Sequence, residues 1–460
     1  MYIFIFRRDL RIVDNIGFNW LIDNNIEVLP IFIMNPEQIS SDDNVFFSHK
    51  SVQFMNESLK DLNMTIKTLG GKGINLFYGS NLEVLEELIK NNKIEGLCVN
   101  EDYTPYSINR DLEIDELCYK YGIEFKSFMD IPLYDFRQIN TKGGTAYKRF
   151  KWFHHNTKSM VVDEPINLSN DTKFYKGPIV SNYLSNFSKL KKLYKYNPNL
   201  IVNGGRKNGI KHMKKVIKRL KNYKAIRQTP LISGQPTSSL MSAYLKFGCV
   251  SIREMFYEVC DNFDETHELI RQMVWRDFYY NLILAYPQTF LSNEHSYIKD
   301  YPWENNYEIF EKWCLGYTGF PFVDASMRQL NKEGYMSNRG RLACASFLIR
   351  NLHIDWRWGE KYFATQLLDY DPAQNNGNWQ WVSSSGMESQ AYYRYINPEK
   401  DLNKFDPHCL YVKKYIPEIK NIECSVIHSG QAYLQCDYVS PIVDIKESFV
   451  KFKDTVKSIK

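Results

Sequence analysis

The hydrophobic pattern of this 460-residue chain changes its period once, and that change limits the folds open to it. Residues 1–130 alternate short apolar runs with stretches of helical period, which predicts βαβ units around a parallel, Rossmann-like sheet. The predicted strands are 2–6, 28–33, 76–78 and 96–99, with helical stretches at 52–62 and 82–91. Residues 131–202 form a predicted long, irregular connector. Residues 203–460 have a helical period, at 208–223, 250–262, 268–286, 321–332, 341–352 and 359–368, which predicts an all-α domain.

The composition excludes several classes of protein. Hydrophobic residues at 44% and charged residues at 24% are typical of a globular chain. No run of 18 apolar residues occurs, so no membrane span is predicted, and the N-terminal apolar run is too short for a secretory signal. The nine cysteines are scattered, without CxxC pairs or the spacing of a zinc site. We therefore predict no disulfide, no metal and an intracellular, reducing compartment, either cytoplasm or nucleus.

The net charge of +5 is distributed very unevenly along the chain. Residues 172–253, here called the basic segment, contain 18 Lys and Arg and no Asp or Glu, so the remainder carries −13. A run of lysines is usually a solvated surface. The complete absence of acids favours a surface for a polyanion such as DNA, with Lys214, Lys218 and Lys221 as candidate phosphate contacts.

Residues 334–381 collect side chains that an ordinary core segment does not need. Arg-rich residues 338–341 precede an apolar helical run, Asp369 and Asp371 follow about one helix later, and residues 375–381 read NNGNWQW. Amides, indoles and paired charges together suit a large, flat ligand with a polar edge. From these residues alone a helical core with satisfied indole N–H groups remains an equal alternative.

Several motifs together resemble the photolyase/cryptochrome family, and the likeness covers nearly the whole chain. Residues 6–15 read FRRDLRIVDN, residues 334–341 read GYMSNRGR as in DASH-type cryptochromes, and 375–381 are close to cyclobutane pyrimidine dimer photolyases. The resemblance implies FAD in the helical domain and UV-damaged DNA as partner, with the chain acting as a monomer. It also implies an optional antenna chromophore of folate or deazaflavin type in the α/β domain. Tyr106 and Ser107 stand where folate-binding relatives carry Asn and Glu, which argues against folate there.

The resemblance also assigns residues to the cofactor. Residues 237–242, TSSLMS, match the tract that wraps the flavin diphosphate, although serines before a helix are usually N-caps. Arg341 and Asp369 would pair against the flavin ring, with Asn375 at its N5 atom. The implied FAD-binding residues are Tyr223, Thr237, Ser238, Ser239, Leu240, Met241, Ser242, Arg276, Arg341, Asp369, Asp371 and Asn375.

Two further groups follow from the resemblance. Trp303, Trp356 and Trp379 match the three indoles that pass electrons from the surface to the flavin. The lesion pocket is predicted to use Gln272, Trp275, Asn338 and Trp381, with the two indoles as stacking walls that also contact DNA. For each of these tryptophans taken alone, packing in the hydrophobic core is the alternative to a functional role.

The expected activity is light-dependent splitting of cyclobutane pyrimidine dimers by an electron from reduced FAD. Gln272 is typical of (6-4) photolyases, whereas dimer photolyases usually carry Glu there. However, Asn338 and Leu342 replace the two histidines on which (6-4) chemistry depends. The alternatives are a DASH-type enzyme acting on single-stranded DNA, a (6-4) photolyase, and a blue-light photoreceptor without repair activity. Signalling cryptochromes usually carry a long C-terminal extension, and the absence of one favours an enzyme.

Overall fold

The computed structural model describes residues 1–167, 171–230, 237–290, 298, 300–387 and 395–459. Residues 168–170 of the predicted connector and residues 231–236 of the basic segment lie outside the described residues. None of the helices in these ranges combines the length and apolarity that crossing a membrane requires. All nine cysteines lie within the described ranges and are free thiols.

A six-stranded sheet forms the centre of the N-terminal domain. Its strands are β1 (Tyr2–Ile5), β2 (Val28–Met34), β3 (Asn75–Tyr78), β4 (Gly96–Asn100), β5 (Glu124–Phe128) and β6 (Leu184–Ser185), in the order β5-β4-β1-β2-β3-β6. The first five are parallel, and their order is that of a doubly wound α/β sheet, so the predicted Rossmann-like class is confirmed. Two strands were not predicted. The short β6 comes from the connector and pairs antiparallel with β3.

Helices cover both faces of the sheet and make up most of the chain after residue 205. Those up to residue 192 are α1 (Ile16–Asp23), α2 (Pro36–Ile39), α3 (His49–Thr68), α4 (Asn81–Asn91), α5 (Pro105–Tyr121), α6 (Phe150–Thr157) and α7 (Phe187–Lys192). The next are α8 (Arg206–Ile217), α9 (Tyr223–Ile226), α10 (Ser242–Lys246), α11 (Ile252–Asn262), α12 (Glu268–Ala285), α13 (Tyr307–Leu315) and α14 (Pro321–Glu333). The last are α15 (Asn338–Arg350), α16 (Trp356–Gln366), α17 (Pro372–Ser383), α18 (Pro398–Phe405), α19 (Leu410–Tyr415), α20 (Cys424–His428) and α21 (Ile445–Ser458).

The prediction of one continuous helix over residues 208–223 was wrong. The chain leaves the helix after Ile217 and makes a turn in which Leu220 N donates to Ile217 O, and a second helix begins at Tyr223. Leu220 and Tyr223 are both buried, so the apolar spacing persists through the turn. For that reason the hydrophobic period could not reveal the break.

Buried ion pairs join the α/β domain to the helical domain. Arg253 of α11 contacts Asp14 at 3.0 Å and Asp130 at 2.9 Å, and Arg11 contacts Asp130 at 2.6 Å. Burial raises the pKa of Asp130, but the two guanidinium groups outweigh it and hold the pKa below its usual range. Arg11 and Asp14 belong to the N-terminal motif FRRDLRIVDN, so part of that motif holds the two domains together. Removing one partner of such a cluster costs ~3–5 kcal/mol.

Candidate active site

The helical domain contains a cavity of about 300 Å³, here called the central cavity. Of the residues predicted to bind the cofactor, the lining includes Tyr223, Ser238, Ser239, Leu240, Met241, Ser242, Arg276, Arg341, Asp369, Asp371 and Asn375. Thr237 is buried beside this tract but does not line the cavity. Gln272, Asn338 and Trp379 line the same cavity. Residues far apart in the sequence are thus brought to one site.

An ion pair lies at the wall where α15 faces the segment after α16. Arg341 Nη2 approaches the two oxygens of Asp369 at 3.0 and 3.2 Å, and the hydroxyl of Ser242 donates to Asp369 Oδ2 at 2.6 Å. Arg341 Nε donates to Met336 O at 3.0 Å, which fixes the plane of the guanidinium. Asp369 is therefore satisfied by protein groups, while the partly exposed guanidinium retains donors for an anionic ligand edge.

The short segment before α10 has the backbone of an anion site. Leu240 adopts φ 52°, uncommon for a non-glycine residue, and Met241 follows at φ −88°, ψ −9°. Such alternation of left- and right-handed residues turns successive N–H groups to one side, the geometry that cradles phosphate. Ser238 and Ser239 line the cavity beside it, and Ser239 Oγ accepts from Met241 N at 3.4 Å. This arrangement fits a diphosphate.

Asp371 lines the cavity, but its oxygens are engaged by protein groups. It pairs with Arg8, and it accepts from the hydroxyls of Tyr103 at 2.8 Å and Tyr280 at 2.9 Å and from Gln374 N at 3.1 Å. Burial raises the pKa of Asp371, but Arg8 and the Tyr103 hydroxyl lower it below its usual range. Because it caps α17, its place in the site is to position that helix, which carries Asn375 and Trp379.

Asn375 presents its side-chain carbonyl oxygen to the cavity because its amide nitrogen is hydrogen-bonded to Glu360 on the side away from the cavity. Asn375 Nδ2 donates to the backbone oxygen and to Oε1 of Glu360, both at 3.0 Å. Glu360 is fully buried, and its Oε2 has no hydrogen-bond partner in the described part of the chain. Burial raises the pKa of Glu360 to about 7, although the hydrogen bond from Asn375 opposes the shift. The sequence interpretation missed Glu360, whose signal was a carboxylate on the buried face of α16.

The three indoles that were predicted to transfer electrons differ in burial. Trp379 is buried at the cavity wall, Trp356 is fully buried at the start of α16, and Trp303 is partly exposed. A Cβ on Gly359 would lie 2.2 Å from Trp379 Cη2, so a glycine is needed where α16 meets that ring. Another indole, which the sequence interpretation did not single out, lies beside Trp379. Trp313 is fully buried, and its ring centre lies 6.4 Å from that of Trp379.

Neither predicted wall of the lesion pocket lines the central cavity. Trp275 stacks on Phe150 with ring centres 3.6 Å apart and planes 8° from parallel, so one of its faces is covered. Trp381 lines a small separate cavity beside Tyr279 and Gly386. The structure therefore places Gln272 and Asn338 at the cavity and the two indoles beside it.

A second cavity of about 260 Å³, here called the N-terminal cavity, lies at the carboxyl ends of β1 and β2. Ligands of open α/β sheets bind at this edge. Arg7 and Arg110 both line it and share one carboxylate, Asp111, at 2.8 and 3.0 Å. Arg110 Nη2 has no hydrogen-bond partner among the described residues. Burial and the neighbouring Arg110 lower the pKa of Arg7 to about 10. Two arginines with one shared carboxylate leave an excess of positive charge at this part of the cavity.

Two family models match the chain. One, described as DNA photolyase, matches residues 2–168, and the other, described as the FAD binding domain of DNA photolyase, matches residues 269–458. A deoxyribodipyrimidine photo-lyase of Buchnera aphidicola subsp. Acyrthosiphon pisum is 32% identical over 96% of this chain and 94% of its own length. A cryptochrome DASH of Synechocystis sp. is 38% identical over 50% of each chain.

Solved structures show the same similarity. An archaeal photolyase from Sulfolobus tokodaii, at 36% sequence identity, superposes with a TM-score of 0.87 and covers 99% of both chains. Its crystal structure holds two FAD molecules, with the implication of a novel light-harvesting cofactor.

Proposed function

Because the chain belongs to the DNA photolyase family, we propose that it is a deoxyribodipyrimidine photo-lyase that splits cyclobutane pyrimidine dimers in UV-damaged DNA. The observation that carries the proposal is one cavity lined by a phosphate-type turn, the Arg341–Asp369 pair, Asn375 and Gln272. These residues fit FAD at one part of the cavity and leave polar groups for a base at another. When bound, reduced FAD supplies on illumination the electron that opens the cyclobutane ring.

The residues of this chain would hold and tune that cofactor. The Leu240–Met241 turn and the serines beside it would bind the diphosphate through N–H and O–H donors. Arg341 would stabilise negative charge at the pyrimidine side of the ring, and Asn375 Oδ1 would accept from a ring N–H. Trp379, Trp356 and Trp303 would carry an electron inward from the surface, since indoles oxidise at accessible potentials.

The cavity favours cyclobutane dimers over (6-4) products. Moving a hydroxyl or amino group between bases calls for a general acid near its working pKa, usually histidine. No histidine is among the described residues that line the central cavity, and Asn338 and Leu342, which do line it, cannot titrate. Splitting a cyclobutane ring needs no such proton transfer. Because half the chain is similar to a cryptochrome DASH, a dimer in single-stranded DNA is the second candidate substrate.

The test is repair of oligonucleotides that carry one defined lesion, in light and in darkness, by wild type and Trp379→Phe. We expect light-dependent reversal of thymine dimers in duplex DNA and none of (6-4) products. Trp379→Phe should slow photoreduction of bound FAD strongly, while repair by chemically reduced enzyme stays nearly intact. Reversal of (6-4) products with dimers untouched would overturn the lesion assignment, and photoreduction at the wild-type rate would overturn the assigned chain.

The basic segment supports a DNA-binding surface on α8 and the turn after it. Three of its four arginines, Arg206, Arg227 and Arg253, pair with carboxylates. Lys214, Lys218 and Lys221 are exposed and form no ion pair within the described residues, so they are free to meet phosphates. Binding of damaged DNA should weaken by ~0.7–0.9 log units per log unit of salt for each phosphate neutralised. Replacing the three lysines by Glu should flatten that slope, and an unchanged slope would make them a solvated surface.

The proposal extends to a second chromophore, to oligomeric state and to compartment. The charge of the N-terminal cavity suits a chromophore that bears phosphate or carboxylate, and Ser107 there is already engaged by Asp102. Nine free thiols suit a reducing compartment. We expect a monomer, which size-exclusion chromatography with light scattering would check.

A further inference from the structure

Gln272 has both ends of its side-chain amide held by charged neighbours. Arg227, just after α9, donates from Nη2 to Gln272 Oε1 at 2.7 Å and from Nη1 to Glu268 Oε1 at 2.9 Å. Gln272 Nε2 in turn donates to the same Glu268 oxygen at 3.0 Å. Glu268 lies one turn before Gln272 on α12, the spacing at which helix side chains meet. The three side chains therefore close a ring of hydrogen bonds.

This ring fixes which way the amide points. A guanidinium only donates hydrogen bonds and an ionised carboxylate only accepts them. Rotating the Gln272 amide by half a turn would place its NH₂ against Arg227 and its carbonyl oxygen against Glu268. Two hydrogen bonds to charged groups, which are the strong ones, would be replaced by two repulsive contacts. The orientation thus follows from the chemistry of the partners.

The fixed orientation leaves Gln272 with one unused donor. Its Oε1 already accepts from Arg227, whereas one of the two Nε2 hydrogens has no partner among the described residues. Both Gln272 and Arg227 line the central cavity, and Glu268 stands behind them. Once a ligand displaces water from this wall, an N–H without a partner is costly whereas a carbonyl with one hydrogen bond is tolerated, so the ligand should supply an acceptor.

The geometry points to a specificity device that rests on the proposed function: the Arg227–Glu268 pair makes Gln272 a fixed donor that selects a pyrimidine with a carbonyl at C4. Thymine and uracil carry the O4 acceptor, and cytosine carries an N4 amino donor in its place. A free glutamine would turn its amide to suit either base. Glu268 stands one turn behind Gln272 and acts on the lesion through it.

The test measures binding in the dark of FAD-loaded protein to duplexes with one T–T, T–C or C–T cyclobutane dimer. Samples are used at low temperature, before hydrolysis removes the cytosine amino group, and again after complete conversion to uracil. We expect the protein to bind at least one cytosine-containing dimer about tenfold more weakly than T–T. The affinity for that dimer should rise again once its cytosine has been converted to uracil. In Glu268→Ala the difference should shrink to about twofold or less.

Glu265→Ala is the matched control, because Glu265 is an exposed acid just before α12. Glu268→Gln provides a second variant of nearly the same shape, and FAD content checks that each variant folds. Equal binding of all dimers by the wild type, or full discrimination by both Glu268 variants, would overturn the inference while leaving the proposed function intact. Failure to prefer any dimer over undamaged duplex would overturn the proposed function and this inference together.

Discussion

The two cavities differ in how their charged groups are balanced. In the central cavity each of the three lining arginines has a carboxylate partner: Arg227 with Glu268, Arg276 with Asp277, and Arg341 with Asp369. Behind this lining Glu360, which forms no ion pair among the described residues, accepts a hydrogen bond from Asn375 and has one oxygen without a hydrogen-bond partner. In the N-terminal cavity two arginines share Asp111. Arg110 Nη2 has neither a hydrogen bond nor an ion pair within the described residues, and Arg7 Nη2 has an ion pair with Asp111 but no hydrogen bond.

The sign of these incompletely paired groups determines how each cavity can become neutral. A buried carboxyl can take up a proton, and burial raises the pKa of Glu360 to about 7, which favours the neutral form up to neutral pH. A guanidinium stays charged in proteins. The central cavity can therefore be neutral without a ligand charge, whereas the two arginines of the N-terminal cavity suit an anionic ligand. Lys246 lines both cavities, and burial together with Arg8 lowers its pKa to about 7.

Breaking the Arg341–Asp369 ion pair of the central cavity should have the largest effect on FAD binding and stability. Arg341→Ala leaves Asp369 buried without a cation, which costs ~3–5 kcal/mol, and removes the charge that faces the flavin ring. We expect low FAD content on purification and a lower free energy of unfolding. Arg339→Ala is the control, since Arg339 lies on the same helix and pairs with the buried Asp401 outside the cavity lining. It should lose stability but keep FAD. Equal FAD contents would show that the Arg341 pair is structural only.

Glu360 should make stability depend on pH. The pKa of Glu360 in the folded chain is raised from 4.5 to about 7, so its contribution to stability is complete below pH 4.5 and is lost as the pH rises through about 7. The loss amounts to about 3 kcal/mol. Glu360→Gln should therefore gain stability relative to wild type between pH 5 and pH 8, measured by urea denaturation at matched FAD content. The control is Glu311→Gln, at an exposed acid, which should not gain stability over this pH range. If the free energy of unfolding depended on pH in the same way in wild type and Glu360→Gln, the raised pKa of Glu360 would be contradicted.

The fold was predictable where burial follows a simple period. The strands β1 to β4 are short, apolar runs buried on both faces, and α4 is amphipathic, so both were visible in the sequence. In α17 the period fails, because that helix buries Asn375, Asn376 and Gln380 together with Trp379. A helix facing a ligand cavity has polar residues inside, so only its resemblance to a family marked it.

The contacts that tune the site were the least predictable part. Arg227 and Glu268 are 41 residues apart, and nothing local in the sequence pairs them. Glu360 had a local signal, because Trp356 and Phe363 lie on the same buried face of α16 and a lone acid between them is unusual. The covered face of Trp275 depends on Phe150 from the connector, which no hydrophobic period connects to α12.

Removing the Arg110 guanidinium should give the smallest of the three effects. It tests the charge of the N-terminal cavity. If Arg110 Nη2 binds an anion, FAD-loaded protein should bind added FMN about tenfold or more tightly than riboflavin, which lacks the phosphate. The reason is that a hydrogen bond between charged groups contributes about 1.5–3 kcal/mol. Arg110→Ala should remove that preference and leave riboflavin binding nearly unchanged, as measured by quenching of the added flavin's fluorescence. Arg137→Ala, an exposed arginine paired with Asp135 and outside the lining of the N-terminal cavity, should keep the preference. Equal preference for FMN in all three proteins would mean that Asp111 satisfies both arginines. The two cavities would then not differ in charge.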